Sequence, residues 1–256
     1  MCIIAYKPEG VALPEKDILK TCFENNPHGA GLFILRPGEK VAEIHKGYMS
    51  FADFWDFASV AVSPEDMAAY HFRITTSGGT CPENCHPFPV SSDVADLRAL
   101  SIRSRYVFVH NGIIGAGSPE LSDTQLYVRD TLASLVGKLK NKATQDKIAA
   151  DTIGSRTLTV DARYHEVILT GNWIEDKDTG LLFSNSSYLV RDYGFGLRSH
   201  DYPHEADDAG MLADMDVCPD CDGSALLVSE YHGLYECESC HCLFDCYGNV
   251  WADGEF

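Results

Sequence analysis

Short apolar, β-prone segments recur through the first 198 residues, while helical periodicity is confined to two separate groups. That grouping limits the fold more than any other feature of the chain. Strands are expected at Cys2 to Tyr6, Gly31 to Arg36, Val41 to Tyr48, Ala69 to Ile74, Tyr106 to His110, Arg156 to Val160, Glu166 to Thr170 and Leu181 to Ser184. A helix is expected from Glu15 to Asn25, broken by Asn26-Pro27-His28-Gly29. A second follows Ser50, an N-cap with Asp53 three residues on, and sets Phe51, Phe54, Trp55 and Ala58 on one face. Asp123 opens a third, with Val128, Leu132, Leu135 and Val136 on its apolar stripe, and a fourth lies near Gln145 to Ala150. Regular βαβ alternation is absent, so the expectation is an α+β layered domain.

Charge marks where that domain stops. From Ser199 to Phe256 there are 14 Asp or Glu and no Lys or Arg, against 24 acidic and 20 basic groups before Ser199. We expect a domain over 2–198, an acidic linker over 199–216 and a small module over 217–256. The acidic end repels phosphate backbones, which argues against charge-driven nucleic-acid binding. It leaves a solvated surface or a dock for a basic protein partner. No run of 18 apolar residues exists and the N-terminus lacks a secretory pattern, so neither a membrane span nor export is expected. The ten cysteines are then expected in the cytoplasm, where clusters serve metal or catalysis more often than disulfides.

Cys218-Pro-Asp-Cys221 and Cys237-Glu-Ser-Cys240 form two CxxC knuckles with 15 residues between them. This spacing suits four thiolates around a tetrahedral Zn²⁺. Leu226 to Glu230 and Leu234 to Glu236 read as the hairpin arms of a zinc ribbon. So short a segment builds little apolar core, so the metal would supply much of the folding. Four protein ligands close the shell, which makes the zinc structural. Redox dithiols are the competing reading, and His241, Cys242 and Cys246 lie near enough to replace a ligand. Cys81 and Cys85 form a looser pair, read as ordinary thiols or a second metal pair.

Cys2 directly follows Met1. Removal of Met1 would place a thiol nucleophile and an α-amine base on one residue, the amine with an ordinary pKa of roughly 7.7–8.0. Arg73 ends a strand beside a flexible Gly pair, where a guanidinium can grip a carboxylate by a forked hydrogen bond or join a surface salt bridge. Asn84-Cys-His86-Pro87-Phe88 is a rigid turn suited to walling a pocket. Asn111 and Gly112 follow a strong strand and offer two N–H donors for an oxyanion, or simply a hairpin turn. Asp123 starts a helix, either as its cap or facing a substrate ammonium.

In order and spacing these segments resemble the class II glutamine amidotransferases, among the N-terminal nucleophile hydrolases. The resemblance rests on Cys2, Asn26-Pro-His-Gly-Ala-Gly31, His71-Phe-Arg73 with Thr76 and Gly78, His86-Pro87-Phe88, His110-Asn111-Gly112, Ser122-Asp123-Thr124, and Thr170-Gly-Asn-Trp173 followed by Phe183-Ser-Asn-Ser186. It spans roughly residues 2 to 195. It implies a four-layer αββα sandwich of two antiparallel sheets, with Cys2 as nucleophile and Asn111 and Gly112 as oxyanion hole. It further implies that Arg73 takes the glutamine α-carboxylate, that Asp123 takes the α-ammonium, and that Thr76 and His86 line the pocket. The chain departs from the pattern at Ile3, at Asn25-Asn26 in place of an Arg-Gly pair, at His28 in place of Asp, and at Ile74-Thr-Thr-Ser77 in place of Trp-Ala-Thr-His.

The implied function is a glutaminase subunit that cleaves the L-glutamine side-chain amide and supplies ammonia. No GxxxxGK[ST] or strand-linked GxGxxG is present, so any ammonia acceptor is expected on a separate protein. Two alternatives stand beside it: an N-terminal-Cys amidohydrolase acting on a γ-glutamyl compound or other small amide, and a non-catalytic binding module that retains the fold.

Overall fold

The computed structural model describes residues 2–75, 79–118 and 121–189, together with 224–229, 234–237, 239, 243–245 and 250–251. The chain divides into two compact units, Met1–Tyr193 and Gly194–Phe256.

The first unit runs β1 (Ile3–Lys7), α1 (Lys16–Asn25), β2 (Ala30–Leu35), β3 (Ala42–Tyr48), α2 (Phe51–Ala61), β4 (Met67–Phe72), β5 (Phe88–Pro89), α3 (Val94–Arg98), β6 (Ser101–Ser104) and β7 (Tyr106–Asn111). It continues with α4 (Asp123–Tyr127), α5 (Ala133–Leu135), α6 (Lys142–Asp151), β8 (Arg156–Asp161), β9 (Glu166–Thr170), β10 (Ile174–Glu175) and β11 (Leu182–Phe183). Between α4 and α5 the helix widens into a π turn over Val128–Leu132. The strands form two antiparallel sheets, one of seven in the order β10-β11-β1-β4-β2-β3-β6 and one of four in the order β5-β7-β8-β9.

Side-chain parity explains the layering. Along β1, Ile3 and Ala5 join a buried cluster with Leu19 and Cys22 of α1 and Phe54 and Ala58 of α2. Ile4 and Tyr6 point the other way, into a cluster with Val107, Val109, Leu158 and Val160 of the four-stranded sheet. The opposite face of that sheet packs Phe88 and Phe108 under Tyr127, Val128, Leu132 and Ile148. A strand buried on both faces must be apolar throughout, which is why β2 reads AGLFIL with every residue buried. The architecture is α+β, and the cluster shared by the two sheets is compatible with a sandwich.

Local signals set the helix starts. Ser50 Oγ accepts the Asp53 N–H at 3.2 Å, as its position suggested. Ser122 and Gln125 close a reciprocal capping box at the start of α4, Ser122 Oγ accepting the Gln125 N–H at 3.3 Å and Gln125 Oε1 accepting the Ser122 N–H at 2.8 Å.

In the second unit, β12 (Ala225–Ser229), β13 (Leu234–Cys237), β14 (Leu243–Asp245) and β15 (Val250–Trp251) form one antiparallel sheet in chain order. The expected hairpin arms are β12 and β13, paired from Ala225↔Cys237 to Ser229↔Leu234. Among the described residues no helix is long and apolar enough to cross a membrane.

Candidate active site

Three neighbouring central strands of the seven-stranded sheet, β1, β4 and β2, end at the same corner. β1 pairs with β4 from Ile3↔Phe72, and β2 pairs with β4 from Ala30↔Phe72, so Cys2, Arg73 and Gly29 lie together just past the ladder. The segment after β11 clamps this corner. Ser184 Oγ accepts the Ile4 N–H at 2.8 Å, Ser184 N–H donates to Ile4 O at 3.0 Å, and Asn185 Nδ2 donates to Cys2 O at 2.7 Å. The Cys2 backbone is therefore held by a partner 183 positions away.

A cleft of about 320 Å³, counting its open mouth, is lined by Cys2, Arg73, Ile74, Asn84, His86, His110, Gly112, Ser122, Asp123 and Thr124. Five expected site residues are thus brought together: Cys2, Arg73, His86, Gly112 and Asp123. Thr76 lies outside the described residues, as do Cys218, Cys221 and Cys240, together with His241, Cys242 and Cys246. Asn84, His110, Ser122 and Thr124 belong to the lining and carried no separate expectation as pocket residues. All four sit inside motifs that did carry one, Asn84 in the turn expected to wall a pocket, so proximity in sequence was the available signal.

Cys2 Sγ donates to Ile74 O at 3.4 Å and accepts the Ile74 N–H at 3.3 Å. Burial pushes its pKa above the ordinary 9.0, and the Ile74 N–H and the Arg73 charge pull the other way. Arg73 Nη1 donates to Thr75 Oγ1 and to Gly79 O, both at 2.9 Å. The Asp123 carboxylate accepts the Ile114 N–H at 2.9 Å and the Thr124 N–H at 2.8 Å, so it orders the 112–114 turn beside Gly112. The helix cap itself is Ser122, which leaves Asp123 facing the cleft.

Gly112 has φ +146°, and a Cβ there would run into the Ser155 side chain. Only a glycine lets the backbone take this turn. Asn111 departs from expectation. It does not line the cleft, and its Nδ2 donates to Ser184 Oγ at 2.9 Å while its buried Oδ1 has no partner among the described residues. Ser184 Oγ already accepts the Ile4 N–H, so its own proton is available to an amide oxygen. Turning the Asn111 amide about Cβ–Cγ would satisfy that proton and move the NH₂ to the place now held by Oδ1.

Two buried histidines, His86 and His110, line the cleft, and a third, His71, contacts both without lining it. His86 Nδ1 and His71 Nε2 lie 2.9 Å apart, His71 Nε2 is 3.2 Å from His110 O, and His110 Nδ1 is 3.0 Å from Thr124 Oγ1. A carbonyl only accepts, so His71 Nε2 carries the proton, and His86 Nδ1 can then only accept from it. The neutral His86 ring keeps its own proton on Nε2, which has no partner among the described residues. Burial pushes His71 down to about 3, His110 to about 4 and His86 well below the ordinary 6.5. The wall is neutral and rich in hydrogen-bonding groups. With Arg73 and Asp123 supplying one charge of each sign, the cleft suits a zwitterionic head group beside a thiol. Among the described residues no three His, Cys, Asp or Glu side chains stand grouped to hold a metal ion.

Neither a protein-family model nor a curated protein matches this sequence. In the second unit, Cys237 is buried and its Sγ accepts the Ser239 N–H at 3.3 Å. An N–H donated to sulfur favours the thiolate, so this residue fits the ligand role expected of it.

Proposed function

We propose that the first unit is a glutaminase of the class II amidotransferase type, with a four-layer αββα fold of the N-terminal nucleophile hydrolases. The observation that carries this reading is the single cleft shared by Cys2, Arg73, His86, Gly112 and Asp123, contributed by separate stretches of chain. Once Met1 is removed, the Cys2 α-amine takes the thiol proton and the sulfur attacks the glutamine side-chain carbonyl carbon. The Gly112 N–H receives the oxyanion, and the Asn111 NH₂, once it takes the place now held by Oδ1, is the proposed second donor. The protonated amine passes its proton to the departing nitrogen, ammonia leaves and a γ-glutamyl thioester remains. The same amine then activates water, which releases glutamate and restores the thiol. Arg73 holds the α-carboxylate, Asp123 the α-ammonium, and Thr76 and His86 the rest of the pocket.

The second unit is proposed to be a zinc ribbon held by Cys218, Cys221, Cys237 and Cys240. A Zn²⁺ closed by four thiolates supplies folding energy and takes no part in amide cleavage. Ammonia would pass to an acceptor on another cytoplasmic protein.

The test is direct. Intact mass should show loss of Met1, and purified protein should release glutamate from L-glutamine faster than from γ-glutamyl amides. Cys2→Ala should reduce turnover by about 10³-fold or more. Retention of Met1 on active protein would sink the reading. The Asn111 amide, bonded to Ser184 and off the cleft, favours a second reading as a binding module. Glutamine binding by calorimetry without any glutamate release would select it.

A further inference from the structure

His28 stands where the family resemblance leads one to expect Asp, and it is bonded to the end of β4 through both backbone and ring. Its N–H donates to Arg73 O, and the Arg73 N–H returns to Gly29 O, each at 2.9 Å. Those two bonds continue the β2–β4 ladder, and any residue would make them. The third belongs to the side chain: Thr75 N–H donates to His28 Nδ1 at 2.9 Å.

The captured N–H is one end of the Ile74–Thr75 peptide. The other end is Ile74 O, which accepts the Cys2 thiol at 3.4 Å. A trans peptide is planar, with its C=O and N–H pointing in opposite directions, so fixing one end aims the other. The grip of His28 on the N–H therefore sets where the carbonyl meets the Cys2 sulfur. It also seats Thr75, whose Oγ1 accepts from Arg73 Nη1 at 2.9 Å and lies 2.8 Å from Thr80 Oγ1. One imidazole nitrogen thus steadies a thiol contact and a guanidinium contact in the same cleft.

We propose that His28 is a positioning residue of this site: by accepting the Thr75 N–H on Nδ1, it fixes the Ile74–Thr75 peptide and through it the Cys2 thiol and the Arg73 guanidinium. The role of that thiol as nucleophile rests on the glutaminase reading; the peptide coupling does not. An acceptor on Nδ1 puts the single ring proton of neutral His28 on Nε2.

The test uses the full chain after Met1 removal. Nitrogen-15 NMR of the wild type should show His28 with Nδ1 bare and Nε2 protonated; a protonated Nδ1 overturns the proposal without any variant. His28→Ala should speed Thr75 amide exchange about five- to tenfold, the size expected for one lost hydrogen bond. It should also speed iodoacetamide alkylation at Cys2, read by peptide mass mapping, about threefold or more, because the Ile74 carbonyl that accepts the thiol proton moves off the sulfur. His28→Asn carries an acceptor oxygen at the same bond distance from Cβ and should restore both values. Unchanged exchange or unchanged alkylation in a folded His28→Ala, or an Asn variant that behaves like Ala, would overturn it. None of these readouts needs turnover, so absence of glutaminase activity would count against the proposed function alone.

Discussion

Gly112 shows how little freedom some single positions have here. Its φ of +146° and the Ser155 side chain against it leave no space for a Cβ. Gly112→Ala should lower the thermal midpoint by about 2–10 °C, from a cost of ~1–3 kcal/mol for the forced backbone. Adding Ser155→Gly should recover most of the steric part, the residue-155 Cα still lying 3.0 Å from the added Cβ, and leave the backbone part, which differential scanning calorimetry can follow. At this scale much of the site was legible. Cys2, Arg73, His86, Gly112 and Asp123 each carried a chemical argument from residue type and local context, and one cleft holds all five. The orientation of Asn111 was not legible. It is decided by Ser184, 73 positions away, and no local pattern encodes that pairing.

Among the elements, the long strands were legible because burial on both faces forces continuous apolar runs, as in β2 and β7. Their ends shift by a residue or two, since the ladder and not composition ends them. The sequence did not signal α3, β5 or β6. β6 is SIRS, an edge strand with only partial burial, and nothing in four such residues separates it from a loop. The stripe expected from Asp123 onward does bury Val128, Leu132 and Val136. The π turn inside it was not legible, because Val128, Leu132 and Val136 at intervals of four fit an ordinary α-helical stripe as well as a widened turn. Packing between the sheets should dominate stability. Leu158→Ala, fully buried in the shared cluster, should cost about 2–5 kcal/mol in urea unfolding. Ile102→Ala on the edge strand should cost clearly less. Lys46 is pinned by Glu83 O at 2.9 Å and Leu97 O at 2.7 Å and lies over the Phe88 ring. Lys46→Met would leave both carbonyls wanting donors, and a loss of about 1–3 kcal/mol is expected in the same assay.

At the scale of the whole molecule, the buried histidines tie stability to acidity. His71 and His110 are held neutral, with pKa values near 3 and 4 against 6.5 for a free ring. Between those values and 6.5 the unfolded chain binds protons that the folded chain refuses. Their contribution is therefore complete above about pH 6.5 and is lost as pH falls through about 4. Urea midpoints should drop between about pH 7.5 and 5, and His71→Gln, which keeps a donor at similar reach and cannot titrate, should flatten the slope. The acidic region after Ser199 was plain from composition, and the knuckle spacing gave the metal expectation. Cys237→Ser should reduce bound zinc well below one equivalent, read by a colorimetric chelator assay. The bonds from Ser184 to Ile4 and from Asn185 to Cys2 carry one further consequence. During translation the amino-terminal thiol emerges first, yet its seat is built by nearly the last residues of its unit to leave the ribosome. A nascent chain thereby lacks the assembled seat until that unit is finished, and truncation before Ser184 should leave a thiol that reacts like any solvent-exposed cysteine.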